Sequence, residues 1–438
     1  MGCVGNLKKR KIFIIMVFFG FALNFLFRHV VHMALLVYTF ENDQASKALN
    51  ERAKLQFFYG YSALQIPCAR LAEIFGGKTI SGVGILFASL LSVIMPFAVQ
   101  IGGFESLIFI NFFIGISLAG FIPAIFNMAS KWIPAEERGN LVIAFAATQL
   151  GQSSLAVSMQ FRNTLSTEVV FIIPAILGIF WTLCWYILVS DSPLTHPTIT
   201  REERNYIVRK KESQGTIYNV IDCPWFEILF DSHVWVICSV HTCYWFSAIF
   251  LTTKEENFLK ERFNLSPLEN PLPIISPYFL ASITIFLSGI LIDFLYSINV
   301  PLTYLQKSWT LISTFIPAIA LVGLISCQDN VQLTLFFYVL GVTFSYWVIG
   351  GYYLSFLDIA PNFAATLNGI AATIANIGLI MIQEVMHGLD SGGVDNQQIW
   401  ENRHSFVSAL LFTAGILYTL FGNSHFVDWN IPYKYEDV

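Results

Sequence analysis

An arginine lies in the middle of an otherwise apolar segment, "FALNFLFRHVVHMALL", at residues 21–36. A charged side chain at the centre of a lipid bilayer costs roughly 2.5–3.5 kcal/mol on insertion scales, so its presence there requires a compensating role. The guanidinium of Arg28 stays ionised and presents a planar fork of N–H donors that fits a carboxylate or a phosphate. The position is therefore suited to bind an anion. Pairing with a buried acid for helix packing is the other interpretation.

Titratable side chains occur in similarly apolar surroundings. His32 follows Arg28 by four residues, so the two side chains lie on one face of a helix. The charge of Arg28 disfavours the protonated form of His32, whereas a bound anion would favour it. His32 and Glu384 are therefore candidate proton sites, and a neutral, hydrogen-bonded histidine is the alternative for His32.

Uncharged polar residues also interrupt the apolar runs. Tyr61, Gln65, Gln149 and Asn376 are of this kind. Each of them can hydrogen-bond a bound molecule. Each can equally bond a neighbouring helix, because polar side chains commonly join helices within a membrane. The residues alone leave both interpretations open.

The composition defines the class of protein. Soluble domains contain about 25% charged residues, whereas this chain of 438 residues is 12% charged and 55% hydrophobic. It is therefore an integral membrane protein surrounded by the lipid bilayer. The net charge of −5 indicates no nucleic-acid partner. The seven cysteines lack metal-ligand spacing, so we expect neither a metal nor a cofactor.

The length of the apolar runs predicts the fold class. A membrane-spanning helix needs about 20 apolar residues, and twelve segments meet this requirement, which indicates an all-α protein. The predicted spans are about 12–39, 55–75, 79–101, 104–128, 140–161, 169–190, 233–253, 272–296, 306–326, 331–355, 365–388 and 403–422. The predicted domains are a first six-helix bundle in 1–190, a cytoplasmic linker in 191–232, and a second bundle with a short tail in 233–438.

The distribution of Lys and Arg predicts the orientation. Fifteen of these residues lie on the side of the predicted spans that holds the termini, and eight lie on the other side. Loops rich in Lys and Arg remain in the cytoplasm, so both termini are predicted to be cytoplasmic. The plasma membrane and the membrane of an intracellular vesicle both remain open as locations.

The linker and an internal repeat add two local signals. Thr200 and Glu203 form the pattern of a capping box, and a basic amphipathic helix is predicted to follow it on the cytoplasmic face, where we expect a solvated linker helix. The segment "ARLAE", which ends at Glu73, is similar to "GILID", which ends at Asp293, and the two acids are 220 residues apart. This offset is close to half of the chain and favours two parallel halves, an arrangement found in transporters.

Several longer motifs resemble one family. They are "QIPCARLAEIFGGK" (65–78), "SKWIPAEERGNL" (130–141), "DSPLTHPTITREERNYI" (191–207), "LDIAPNFAATLNGI" (357–370) and "FGNSHFVDWN" (421–430). Together they resemble the anion/cation symporter branch of the major facilitator superfamily, which includes sialin, the vesicular glutamate transporters and the type I sodium-phosphate cotransporters. The resemblance implies the major facilitator fold, with twelve transmembrane helices in two six-helix bundles around a central cavity that opens alternately to each side.

The resemblance also implies roles for particular residues. Asn24 and Arg28 match a pair in the first helix of the family, where the arginine is linked to the binding of an organic anion. His241 matches the start of the seventh helix, and Tyr244 stands where the family has an asparagine. The predicted substrate-binding residues are Arg28, Tyr61, Gln65, His241 and Tyr244. The predicted conformational residues, at cytoplasmic helix ends, are Glu73, Lys78 and Asp293.

The fourth span departs from the family pattern. Leu118 stands where the family has a glutamate, and Phe126 stands where it has a histidine. Asn111 occupies the position of a second arginine in the glutamate-type vesicular transporters. The groups that the family associates with proton coupling and with a second anion contact are therefore missing.

The sequence thus predicts a secondary transporter of a small organic or inorganic anion that works by alternating access. The membrane potential, Na⁺ and H⁺ all remain open as the driving force, and we expect a monomer. The alternative is a non-transporting receptor or accessory paralogue that binds anions. An enzyme is not expected, because the chain contains no HExxH, GxSxG or phosphate-loop motif.

Overall fold

The computed structural model describes residues 7–38, 44–160, 167–214, 216, 222–263, 265, 272–327, 329–390 and 396–431. Inside these helices, the description leaves out the side chains of residues 31–38, 44–51, 53–54, 104, 155–160, 167–168, 253–257, 383–390 and 396. All regular secondary structure in the described ranges is helical, as the apolar runs predict.

The first six spans come from six helices. These are α1 (Lys9–Tyr38), α2 (Gln44–Phe75), α3 (Gly77–Leu118), α4 (Phe121–Trp132), α5 (Arg138–Gln160) and α6 (Thr167–Leu188). Helix α3 contains two spans, because Gly103 has φ +61° and breaks the helix there. Glycine adopts this backbone conformation without the steric cost of a Cβ. The second of these spans continues through α4.

Two helices form the linker, α7 (Arg201–Glu212) and α8 (Trp225–Phe230). The side chain of Thr200 accepts a hydrogen bond from the backbone N–H of Glu203, as the capping box predicts. The carboxylate of Glu203 does not return to Thr200; it accepts from the backbone N–H groups of Lys9 and Arg10, at 3.0 and 3.1 Å, and so caps α1. The prediction of a solvated helix is also wrong in part, because Glu203, Ile207 and Lys211 are buried.

The last six spans are built from the remaining helices. These are α9 (Ser232–Ile249), α10 (Glu255–Phe263), α11 (Leu272–Ser297), α12 (Leu302–Ser326), α13 (Val331–Ser345), α14 (Tyr352–Ile359), α15 (Ala364–Asp390) and α16 (Asn396–Phe421). The span predicted at 331–355 is interrupted, because a 3₁₀ turn at Tyr346–Gly350 separates α13 from α14.

The described helices therefore form twelve spans. Ten of the described segments are long and apolar enough to cross a membrane by length and composition, and α2 and α5 are not among them. These two helices carry glutamines that are shielded from lipid, Gln65 on α2 and Gln149 on α5. Each of the two least apolar spans thus buries a glutamine inside the protein.

The two halves meet mainly along two helix pairs, α2 against α15 and α5 against α11, and α4 also packs against α15. Helices α5 and α11 cross closely at two glycines. A Cβ on Gly139 would lie 2.0 Å from the carbonyl oxygen of Gly289, so only glycine permits this approach. The linker helix α7 touches the same end of the molecule, which is called the linker end below.

Candidate functional site

A cavity of about 490 Å³ lies between the two halves. It reaches from the middle of the bundle away from the linker end, since it is lined by Leu55 on α2, Thr252 just after α9 and Ile380 on α15. The five residues predicted to bind substrate all line it: Arg28, Tyr61, Gln65, His241 and Tyr244. Their role in binding stays a prediction.

Arg28 is half-buried in this cavity and is surrounded mainly by aromatic rings. Its Nη2 donates a hydrogen bond to the hydroxyl of Tyr61 at 2.6 Å. Its guanidinium carbon lies 4.5 Å from the ring centre of Phe25, 4.6 Å from that of Tyr61 and 6.0 Å from that of Trp245. Aromatic faces attract a cation without neutralising its charge. No acid among the described residues lies within 4 Å of it, so the structure shows no ion pair that would account for Arg28.

The wall from the second half carries the two other predicted residues of α9. His241 is fully buried, and its Nδ1 lies 2.7 Å from the hydroxyl of Tyr352. Its ring stacks on that of Trp245, with the centres 6.2 Å apart. Tyr244 packs edge-on against Tyr352. Both side chains therefore lie in an aromatic wall of the cavity.

A group of amides joins the two halves at the cavity. Gln65 of α2 accepts hydrogen bonds at Oε1 from Asn376 Nδ2 at 3.3 Å and from Thr373 Oγ1 at 3.4 Å. Asn376 Oδ1 in turn accepts from Trp245 Nε1 at 3.0 Å. Gln65 and Asn376 thus form hydrogen bonds between helices, which was one of the two interpretations of these residues. Both residues also line the cavity. Gln149 is buried and is not one of the lining residues.

Some lining residues were not predicted from the sequence. His29 lines the cavity and lies 2.9 Å from Gln152, Nε2 to Oε1. Tyr353 reaches the cavity from the first turn of α14, and its hydroxyl accepts from Asn368 at 3.3 Å. The break between α13 and α14 that places Tyr353 has only one sequence signal, the Gly350–Gly351 pair before it.

The two substituted positions of the fourth span are filled by apolar packing. Leu118 and Phe126 are fully buried. The ring of Phe126 lies 5.3 Å from that of Tyr353 and 6.2 Å from that of Phe145, measured between centres. No group able to carry a proton replaces the family glutamate and histidine at these two positions.

At the linker end, acids join the two halves. Glu73 of α2 accepts from the backbone N–H and the hydroxyl of Thr366, at 2.8 and 2.7 Å, and also pairs with Arg70. Asp293 of α11 accepts from the backbone N–H of Gly139 at 2.7 Å. Each acid thus caps the first turn of a helix in the opposite half. The repeat seen in the sequence therefore corresponds to a repeat in space.

A buried ion pair lies between these two caps. Arg138 of α5 and Asp358 of α14 are 2.8 Å apart, and Gln306 donates to the other oxygen of Asp358 at 2.7 Å. Lys78 contacts the first half and the start of the linker: its backbone N–H donates to Asp191 at 2.7 Å, and its ammonium donates to the carbonyl of Tyr186 at 2.9 Å. Of the three predicted conformational residues, Glu73 and Asp293 bridge the halves, and the hydrogen bonds of Lys78 do not reach the second half.

The side chains of His32 and Glu384, the two candidate proton sites, lie outside the described part of the chain. Their role as proton sites therefore stays a prediction. Within the described residues, no group of three or more His, Cys, Asp or Glu side chains is arranged to hold a metal ion.

Comparison with known proteins places the chain in a family. The sequence model of the Major Facilitator Superfamily matches residues 17–382. Sialin from Ovis aries is 31% identical over 382 residues, which cover 86% of this chain and 75% of that protein. Sialin from Homo sapiens is 30% identical over a region that covers 85% of this chain and 75% of that protein. Vesicular glutamate transporter 2 from Mus musculus is 25% identical over a region that covers 98% of this chain and 76% of that protein.

Solved structures agree on the fold. The proton:xylose symporter XylE, bound to 6-bromo-6-deoxy-D-glucose, superimposes with a TM-score of 0.72 at 13% identity, over 94% of this chain and 95% of that one. The E. coli fucose:proton symporter FucP gives a TM-score of 0.65 at 12% identity, and the match covers 93% of this chain and 99% of that one. The predicted fold is therefore confirmed. The chain belongs to the major facilitator superfamily and, within it, is a divergent member of the family of sialin and the vesicular glutamate transporters.

Proposed function

We propose that this multi-pass membrane protein carries a small anion through the membrane by alternating access, with Arg28 as the anion contact. The observation that supports this most directly is a half-buried arginine that lines the cavity between the halves and has no acid beside it in the described residues. The names of the relatives agree, because sialin and the vesicular glutamate transporters are named for anionic substrates.

The linker end is proposed to be cytoplasmic, because the predicted inner loops hold most of the Lys and Arg residues. The structure then corresponds to a conformation closed toward the cytoplasm, since Glu73, Asp293 and Arg138 join the halves at that end. Transport requires these contacts to break while others form on the opposite side. The plasma membrane and an intracellular vesicle are equally compatible with this orientation, and a monomer is sufficient for the mechanism.

The membrane potential is the proposed driving force. It is worth about 2.3 kcal/mol per elementary charge for each 100 mV, which corresponds to roughly a fiftyfold concentration ratio of a monovalent anion. Leu118 and Phe126 cannot bind a proton, so the usual residues for proton coupling in the family are absent. Movement down the electrical gradient needs neither H⁺ nor Na⁺.

The test is uptake by the purified protein in proteoliposomes. Radiolabelled carboxylates with one or two charges, phosphate, sulfate and chloride are supplied outside, and protein-free liposomes provide the background. Potassium gradients with valinomycin set the potential, and buffer jumps set the pH gradient separately. We expect saturable uptake that follows an interior-positive potential and changes little with the pH gradient.

Three results would contradict parts of this proposal. Strong uptake driven by a pH gradient at zero potential would establish proton coupling, and loss of that uptake in His32→Gln would place the proton beside Arg28. Uptake that requires a Na⁺ gradient would establish sodium coupling. Saturable binding without flux for every anion would favour the receptor or accessory paralogue.

A further inference from the structure

The amide cluster consists of Gln65, Thr373, Asn376 and Trp245 and lies at the cavity, where it joins α2 to α9 and α15. Gln65 and Asn376 are both about 1% exposed and both line the cavity. Polar groups buried to this degree are normally hydrogen-bonded, so any N–H group or oxygen of the cluster that lacks a partner requires an explanation.

The side-chain oxygens of Gln65 and Asn376 already accept hydrogen bonds within the protein. Gln65 Oε1 accepts from Asn376 Nδ2 at 3.3 Å, and the single hydroxyl proton of Thr373 is shared between Gln65 Oε1 at 3.4 Å and the carbonyl oxygen of Gly369 at 2.8 Å. Asn376 Oδ1 accepts from Trp245. Each of the two amide oxygens thus has at least one partner within the protein.

The N–H groups of the cluster are not fully used. Gln65 Nε2 carries two hydrogens and makes no hydrogen bond with the described residues. Asn376 Nδ2 uses one of its two hydrogens for Gln65. A buried donor without a partner costs free energy that a suitable acceptor recovers. The cluster thus contains unused N–H donors on two residues that line the cavity.

The matching acceptor on a ligand is an uncharged oxygen. Arg28 is the only Lys or Arg among the described lining residues. A second carboxylate at Gln65 would be a buried charge without a cation, which is strongly unfavourable. A carbonyl, ether or hydroxyl oxygen makes the same hydrogen bonds without that cost.

The spacing and the walls define the rest of the ligand. Tyr61, whose hydroxyl bonds Arg28, and Gln65 are four residues apart on α2, so their Cβ atoms are about 5–6 Å apart. Between and around them the cavity is lined by aromatic rings, including Phe57, Phe145 and Tyr353. An apolar body of a few carbon atoms therefore separates the anionic group from the oxygen acceptor.

We propose that Gln65 and Asn376 form a second recognition point, and that the substrate is a monoanion with an apolar, aromatic-compatible body and one uncharged oxygen acceptor. This inference rests on the proposed function, because it assumes that the anionic group binds at Arg28. It adds a specificity-determining contact that touches both halves at once, since Gln65 belongs to the first half and Asn376 to the second.

A matched ligand pair tests the inference. 4-Phenylbutanoate and 4-oxo-4-phenylbutanoate differ by one carbonyl oxygen in place of two hydrogens. Isothermal titration calorimetry on the purified full chain in detergent measures their affinities without interference from leakage through lipid. We expect the oxo compound to bind roughly two- to tenfold more tightly, which is the range for one net hydrogen bond.

Variants assign the preference to the cluster. Gln65→Met keeps the side-chain length but removes the donor, so both ligands are expected to bind with about equal affinity. Gln149→Met is the matched control: Gln149 is equally buried but does not line the cavity, and the preference should persist. Asn376→Leu provides a second test at the cluster and is expected to reduce the preference, including where Gln65→Met gives too little folded protein.

The remaining outcomes separate this inference from the proposed function. Equal affinities in the wild type, with binding lost in Arg28→Ala, would overturn the second recognition point and leave the anion contact standing. A preference that persists in both Gln65→Met and Asn376→Leu would overturn its assignment to the cluster. Binding of neither ligand by the wild type would overturn the aromatic monoanion class, while the uptake panel decides the anion contact independently.

Discussion

The two ends of the interface between the halves use charge in opposite ways. At the linker end, the acids Glu73, Asp293 and Asp358 each accept hydrogen bonds from the opposite half. In the cavity, Arg28 meets aromatic rings and the hydroxyl of Tyr61, with no described acid in reach. The same pair of bundles thus contains charges that are paired within the protein and, in Arg28, a charge with no acid partner among the described residues.

This difference separates structural charges from those available to a ligand. A buried ion pair that is fully hydrogen-bonded, such as Arg138 with Asp358, holds one conformation and has little capacity for another partner. A guanidinium held by aromatic faces keeps its charge and some of its donors. The linker end is therefore suited to close the molecule, and the cavity is suited to bind.

The largest expected effect comes from removing the charge in the cavity. We predict that Arg28→Ala abolishes anion uptake without loss of folded protein, and that Arg28→Lys restores it poorly because an ammonium lacks the planar fork. Initial uptake rates and melting temperatures measure the two effects. Arg52→Ala is the control, since Arg52 is an exposed arginine paired with Glu105. Wild-type uptake by the alanine variant would refute the anion contact.

Breaking the ion pair at the linker end should act on stability instead. Asp358→Asn leaves Arg138 buried without its counter-charge, and we expect a loss of about 3–5 kcal/mol in the free energy of unfolding. Denaturant titration in detergent measures it. The double variant Arg138→Met with Asp358→Leu removes both charges and should recover much of the loss. A single variant as stable as the wild type would show that the pair is not needed to hold this end closed.

The two pseudo-symmetric caps should differ in strength. Glu73 accepts two bonds from Thr366 and pairs with Arg70, whereas Asp293 accepts one bond from Gly139. We predict that Glu73→Gln opens the linker end roughly tenfold more often, and that Asp293→Asn does so roughly two- to threefold, because neutral acceptors retain part of each cap.

Cys223 provides the measurement for this comparison. It is half-buried beside Glu73, and burial raises the pKa of its thiol to about 12, so it reacts slowly while the linker end is closed. In a background where the other six cysteines are replaced, the rate of maleimide labelling reports opening. Equal rates for the two variants would mean that the caps are equivalent despite their different contacts.

Lys211 is an exception at the linker end. It is fully buried on α7 and donates only to the carbonyl oxygen of Ile133 and to Gln214. Burial, reinforced by the nearby Arg138, lowers its pKa well below the ordinary value. Between its folded and unfolded pKa values the unfolded chain therefore binds more protons, so stability rises with pH across that window.

Replacing this lysine should therefore stabilise the protein. Lys211→Met removes the cost of burying the ammonium, and we expect a melting temperature a few degrees higher at pH 7 and a flatter dependence on pH above it. Thermal unfolding in detergent from pH 7 to 10 measures both. A lower melting temperature at pH 7 would show that the hydrogen bonds of the ammonium outweigh its desolvation.

The smallest effect is expected at Lys78, although the sequence grouped it with Glu73 and Asp293. Its contacts are Tyr186 in the first half and Asp191 at the start of the linker, so a movement of the second half is not expected to break them. We predict that Lys78→Ala changes the labelling rate of Cys223 by less than about twofold, within the range of a single exposed contact. A change as large as that in Glu73→Gln would restore Lys78 to the conformational group.

The sequence by itself determined the membrane class, the twelve spans and the position of Arg28 deep inside the first of them. These follow from composition and run length, because lipid selects apolar segments of a definite length and penalises a charge inside them. It also predicted five residues around one cavity, and the structure brings all five together. The similar segments that end at Glu73 and Asp293 were recognisable because both halves keep the same local pattern.

Only the tertiary structure decided which polar atoms face the cavity and which charges have partners. Gln152 lines the cavity while Gln149 does not, although they are three residues apart, because the rotation of α5 is set by its packing on α1 and α11. Glu73 meets Thr366 across 293 residues, and no local pattern predicts this. Such pairings depend on how two bundles dock, which is a property of complementary surfaces rather than of any single helix.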